Sequence, residues 1–265
     1  MIGPRDRLEL PDAVTSVETG LRDDVRGVTL PVNETGRALL SAETLEAMAR
    51  LAVEKFDAPD ALALDDAKVF ALDLNRRHLL NVRVRGGLVI VTARWCLAAL
   101  VLLRHRAVPL WPACRVPLDT STAGRAAAGA AAASLPSGLG GSTAALGLLA
   151  AAGLPLQLAL PAAVALALGV ALHEAGHAFL LRGVPSFVGR RGLRVAVVHR
   201  SLPARRAAAV AVGGPVAGVL LALCTAVVAW SVAVPALAAA AVALVSQPLA
   251  LTVLAGDGRR ACRGW

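Results

Sequence analysis

Between Leu154 and Leu181 the chain runs through twenty-eight residues in which His173, Glu174 and His177 are the only ionisable side chains. A helix needs about twenty apolar residues to cross a bilayer, and this stretch supplies them. Ionisable groups inside such a span cost on the order of several kcal/mol and are expected to be functional. Their spacing indicates the chemistry. Residues four apart share a helix face, so His173 and His177 can direct two imidazole nitrogens at one ion. Glu174 then stands beside them to accept a proton from water. This is the H-E-x-x-H arrangement of zinc hydrolases. A helix that merely showed polar residues to solvent would not be flanked by the uncharged Leu156–Leu172 and by Ala178-Phe-Leu-Leu181.

Two imidazoles leave Zn²⁺ short of ligands, since a catalytic site takes three from the protein plus water. After residue 126 the only carboxylates are Glu174 and Asp257. Asp257 is therefore the candidate third ligand, although a turn aspartate between Gly256 and Gly258 is the competing reading. His199 lies among arginines and reads as a surface histidine.

The charge is divided along the chain. Residues 1–80 hold fifteen acids and ten bases, whereas residues 81–265 hold seventeen bases and three acids. With 57% hydrophobic residues and 3% aromatic, the chain is too apolar for a soluble domain alone. The composition fits a small domain joined to a membrane bundle. Arginine beside apolar spans marks cytoplasmic flanks, and without aromatic interleaving nucleic-acid binding is excluded. Cys96, Cys114, Cys224 and Cys262 form no C-x-x-C pair, which argues against a zinc ribbon. The first residues, MIGPRDRLELPD, lack an apolar signal region, so the first domain is expected in the cytoplasm.

Residues 1–82 read as a small α+β domain. Val14–Leu30 alternates loosely and predicts two or three short strands. Asn33 caps a short helix, and a second follows Ser41-Ala-Glu-Thr44 with Leu45, Met48, Ala49, Ala52 and Val53 on one face. Asp65–Leu74 predicts a third, with Val69 and Leu72 facing inward, and His78–Val84 reads as extended. This is the size and order of a winged-helix module. Val32-Asn33-Glu34-Thr35-Gly36, Glu54-Lys55-Phe56-Asp57 and Leu74-Asn-Arg-Arg-His-Leu-Leu80 resemble the PqqD-like family, whose domains recognise the leaders of ribosomally made, post-translationally modified peptides. The resemblance implies leader capture as an added strand and makes Asn33, Thr35 and Gly36 candidate peptide-binding positions. An unrelated winged-helix adaptor is the other reading.

Residues 83–125 form a connector rich in Arg and Pro. Arg94–Leu103 reads as an interfacial helix with Trp95 and Trp111 near the headgroups. Residues 126–265 read as an all-α bundle of four spans: 126–153, the motif helix, Ala207–Trp230 and Ala233–Ala255. Gly192–His199 is expected as a short hairpin or edge strand. Keeping the arginine segments 83–125, 182–206 and 259–263 on one side puts both termini in the cytoplasm.

His173-Glu-Ala-Gly-His177, Gly214-Pro215 within Ala211–Gly218, and Asp257-Gly258 together resemble the site-2 protease family of intramembrane zinc metalloproteases. The likeness covers about residues 154–260. It implies that His173, His177 and Asp257 bind Zn²⁺, that Glu174 is the general base, and that Gly214 and Pro215 lie near substrate. Gly218 stands where the family has asparagine, and Gln247-Pro248 are near but not at the family's spacing. The expected activity is maturation of a precursor peptide by a membrane zinc endopeptidase, alongside modification or export partners. The alternatives are a non-catalytic peptide-binding adaptor for such a complex and a signalling protease that cuts a membrane-bound regulator.

Overall fold

The structure is a computed structural model and describes residues 2–83, 113–191 and 194–245. It divides into two compact units, residues 1–115 with 189–192, and residues 116–188 with 193–265.

The N-terminal unit combines small antiparallel sheets with three helices. Strand β1 (Arg7–Glu9) pairs with β5 (Asn81–Arg83), Leu8 opposite Val82. Strands β2 (Val14–Val17), β3 (Gly20–Asp23) and β4 (Val28–Pro31) form a meander in the order β2-β3-β4. Three strands thus fall in the stretch whose alternation predicts two or three. Gly20 is required at the β2–β3 turn, since its φ is +149° and a Cβ there would strike the Leu30 carbonyl. Helix α1 (Glu34–Leu39) is capped by Asn33, whose side chain accepts from the Gly36 N–H at 2.8 Å. Thr44 caps α2 (Leu45–Phe56) in the same way. Helix α3 spans Asp60–Arg76, starting five residues earlier than the periodicity suggests. Its buried face is Ala63, Ala67, Ala71 and Leu74. Leu72 packs against the core, but Val69 is 68% exposed, opposite to the expectation. Small alanines set that face close to Leu21, Leu45 and Met48, leaving Val69 outside.

Residues 113–115, inside the expected connector, belong to this unit. The Asn75 side chain donates to Ala113 O and accepts from its N–H, both at 2.7 Å. Asn81 treats the backbone of Arg115 alike, at 3.2 and 2.8 Å. The Arg115 guanidinium makes a two-pronged pair with Asp23, at 2.8 and 2.9 Å, both side chains almost wholly buried.

The second unit is mostly helical. Helices α4 (Ala123–Ala151), α5 (Leu156–Phe179), α6 (Ala204–Val232) and α7 (Pro235–Leu244) pack against one another, α5 touching the other three. Three further strands follow in the chain, β6 (Ala113–Pro117), β7 (Ser186–Arg191) and β8 (Arg194–His199), and β8 lies on a sheet edge as expected. Two helices, α5 and α6, are long and apolar enough to cross a membrane. Helix α4 matches the predicted span 126–153 in length, but it is interrupted by Ser134, Ser137, Ser142 and several glycines. The interfacial helix 94–103, Trp95, Trp111 and the end of the fourth expected span lie outside the described residues.

The packing of α5 is inverted relative to a water-soluble helix. Its buried positions are alanine and glycine apart from Glu174 and His177. Leu156, Leu160, Val164, Leu168 and Leu172, each four residues from the next, are exposed. Small residues let backbones approach, as they do in helix pairs within lipid. A Cβ on Gly138 of α4 would come within 2.8 Å of Ala167 O, and one on Gly176 of α5 would strike Gly213 O of α6.

Candidate metal centre

Helix α5 turns His173 and His177 toward a common point. Their Nε2 atoms are 3.1 Å apart and their rings stand at 82° to each other. Two nitrogens bound to one zinc at about 2.0–2.1 Å with a tetrahedral angle lie about 3.3–3.4 Å apart, so the pair needs only a few tenths of an ångström of adjustment.

The tautomer of His177 follows from its partner. Its Nδ1 lies 2.6 Å from the carbonyl of Val210 on α6. A carbonyl only accepts, so Nδ1 carries the hydrogen, which in the neutral tautomer leaves Nε2 unprotonated. Backbone carbonyls orient metal-binding histidines in this way. Glu174 is buried at 6% exposure, and its Oε2 accepts from the Val197 N–H of β8 at 2.9 Å. The carboxylate is therefore held from outside its own helix.

Gly214 and Pro215 are both buried in α6. A Cβ on Gly214 would strike His177 Nε2 and approach His173 O at 2.7 Å. Glycine here leaves room for the His177 imidazole and the His173 carbonyl. Pro215 has no N–H to contribute to the helical ladder. Gly218 is buried in the same helix.

The structure brings together His173, Glu174, His177 and Gly214. Asp257, Gln247 and Pro248 lie outside the described residues, and among the described residues no cluster of three metal-binding side chains occurs. The donors present are of the type Zn²⁺ takes: two imidazoles with Nε2 atoms 3.1 Å apart and a carboxylate beside them. Asn33 and Gly36 serve the local fold. Asn33 caps α1, and buried Gly36 meets Val32, Asn33 and Phe70, while Thr35 is half-buried. The Val210 carbonyl and Val197 N–H were missed in the sequence because backbone groups leave no residue-type signal. The clearance at Gly214 was signalled only by the Gly-Pro pair. No protein-family model, curated protein or solved structure matches this chain.

Proposed function

We propose that the chain is an intramembrane zinc endopeptidase of the site-2 protease type, acting on a ribosomally made precursor peptide. The observation that carries this reading is the His173–His177 pair. Two Nε2 atoms converge at 3.1 Å beside buried Glu174, on a helix long and apolar enough to cross a membrane. His173, His177 and, by the resemblance, Asp257 would hold Zn²⁺. The ion supplies Lewis-acid chemistry, polarising a carbonyl and lowering the pKa of water. His177 is oriented by Val210 O, which keeps its Nε2 available. Glu174, steadied by the Val197 N–H, accepts a proton from the attacking water at its carboxylate and passes it to the leaving amine. The surrounding alanines keep bulk water away from that carboxylate.

Four spans with both termini cytoplasmic remain the topology we favour, supported by the outward-facing leucines and valines of α5 and α6. We assign leader capture to the N-terminal unit. Strand β4 is an edge of its sheet and Val28 is 51% exposed, a surface open to an added strand.

The test separates ligand from base. His173→Ala and His177→Ala are expected to lower the zinc content of purified protein. Glu174→Gln is expected to keep the metal and lose cleavage, because an amide cannot accept the proton. Full metal retention in both histidine variants, or undiminished cleavage by Glu174→Gln, would sink the reading.

A further inference from the structure

The charged side chains of the helical unit are distributed unevenly between its two ends. Arg125 in the first turn of α4, Arg182 just past α5, Arg194 and Arg200 bracketing β8, and Arg205 and Arg206 in the first turn of α6 are all exposed. The segments carrying three of them meet. Gly183 N donates to Thr120 O at 2.8 Å, Leu118 N to Ser186 O at 3.1 Å, and Arg206 Nη2 to Arg182 O at 3.0 Å. At the opposite end, residues 144–160 and 226–245 contain no charged side chain, and Trp230 is 89% exposed. Among the described residues this unit has two carboxylates. Asp119 is paired with Arg125 at 3.2 Å, and Glu174 is buried.

The helix dipoles do not account for this placement. The first turn of a helix favours anions, yet α6 opens with Arg205 and Arg206 and no acid. These guanidinium groups are therefore suited to an anion from outside the fold. The apolar surface indicates which one, since exposed Phe179 and Leu180 lie three and two residues before Arg182, with buried Leu181 between, at the end of the leucine-lined face of α5. A surface that passes from exposed apolar side chains to guanidinium groups matches a lipid, with acyl chains on the helix and a phosphate on the arginines.

We infer that the arginine end of the helical unit binds the headgroup phosphates of anionic phospholipids through Arg182, Arg194, Arg200 and Arg205. This rests on the membrane reading above and adds a lipid class to it. The full chain is reconstituted into nanodiscs of phosphatidylcholine with a minor fraction of phosphatidylglycerol, and the lipid retained by the protein is quantified. Retained phosphatidylglycerol is expected to exceed its bulk share, by about fivefold for each headgroup held by one arginine, and to fall with salt. R182Q/R194Q/R200Q/R205Q is expected to lose the enrichment, and the charge-matched R5Q/R7Q/R50Q/K55Q to keep it. Should the quadruple variant not fold, R194Q/R200Q and R182Q/R205Q are each expected to lose part of it. Lipids retained in bulk proportion by inserted wild-type protein overturn the proposal. So does a soluble acidic peptide that binds these arginines in pure phosphatidylcholine discs with no lipid enrichment. Failure to insert into any disc is a different result and removes the membrane reading itself.

Discussion

The core of the N-terminal unit is built from large apolar side chains, whereas helix α5 of the helical unit carries them on its exposed face. Leu21, Leu45, Met48, Leu74 and Leu80 are at most 2% exposed in the first. In the second, α5 buries alanine and glycine while Leu156, Leu160, Leu168 and Leu172 face outward. Leucine is thus used in opposite senses, the second being the pattern expected of a surface that meets hydrocarbon rather than water. In water, burying a leucine is the main source of stability. In hydrocarbon there is no such gain, and close contact between small residues holds helices together. Buried charge follows the contrast. The N-terminal unit neutralises Asp23 with Arg115, whereas the helical unit holds buried Glu174 with the Val197 N–H.

The largest test of this contrast is at the buried ion pair. Burial alone would raise the Asp23 pKa, but the hydrogen bonds and charge of Arg115, joined by Arg26, hold it below its ordinary value. Arg115→Ala strands that carboxylate and is expected to cost about 3–5 kcal/mol. Hydrogen exchange of the α2 and α3 amides in the full chain reads the loss, and unchanged protection would show that the pair contributes nothing. A fragment ending at residue 82 lacks Arg115 altogether. Its independent folding, which the charge balance of the sequence favours, is accordingly expected to be weak.

Next comes one truncation made in both units. Leu45→Ala in the N-terminal core should cost about 2–5 kcal/mol, as large-to-small core changes do. Leu168→Ala on the outer face of α5 should change stability in a bilayer mimetic by under about 0.5 kcal/mol. Equal losses at the two positions would break the contrast.

The smallest effect is in acid. His78 is pushed down to about 4, chiefly by burial and then by Arg26, Arg191 and Arg115. Its backbone is left-handed, φ 58°, and the ring lies against Gly189, where a Cβ would come within 3.1 Å of Nε2. The unfolded chain therefore takes up this proton first, beginning near pH 6.5. Stability should be full above that value and decline as pH falls toward 4, by at most about 3 kcal/mol and less with solvent screening. Asp23 adds a further loss below its ordinary value near 3.8. His78→Asn, which tolerates the left-handed backbone, should flatten the decline between pH 6.5 and 4 without touching the lower step. A decline that persists in the variant assigns it to other groups.

What could be read in advance was local. Asn33 and Thr44 announce their helices because a cap acts within three residues. The motif helix was bounded to within two residues at each end because its apolar run is uninterrupted. The placement of Arg115 on Asp23 joins positions ninety-two apart and has no local signature. Val69 misled because periodicity shows that a face is apolar without showing which neighbour fills it. At the candidate metal centre the spacing brought together the two imidazoles and the Glu174 carboxylate. The groups that orient them are backbone atoms of residues whose side chains are ordinary valines.

Those two backbone groups also bear on the order of synthesis. A ribosome delivers His173, Glu174 and His177 together, but the amide that steadies the base belongs to Val197 and the carbonyl that sets the imidazole belongs to Val210. A nascent chain halted between residues 177 and 197 carries the whole motif and neither restraint. Both restraints are thereby complete only once the next helix has begun to emerge.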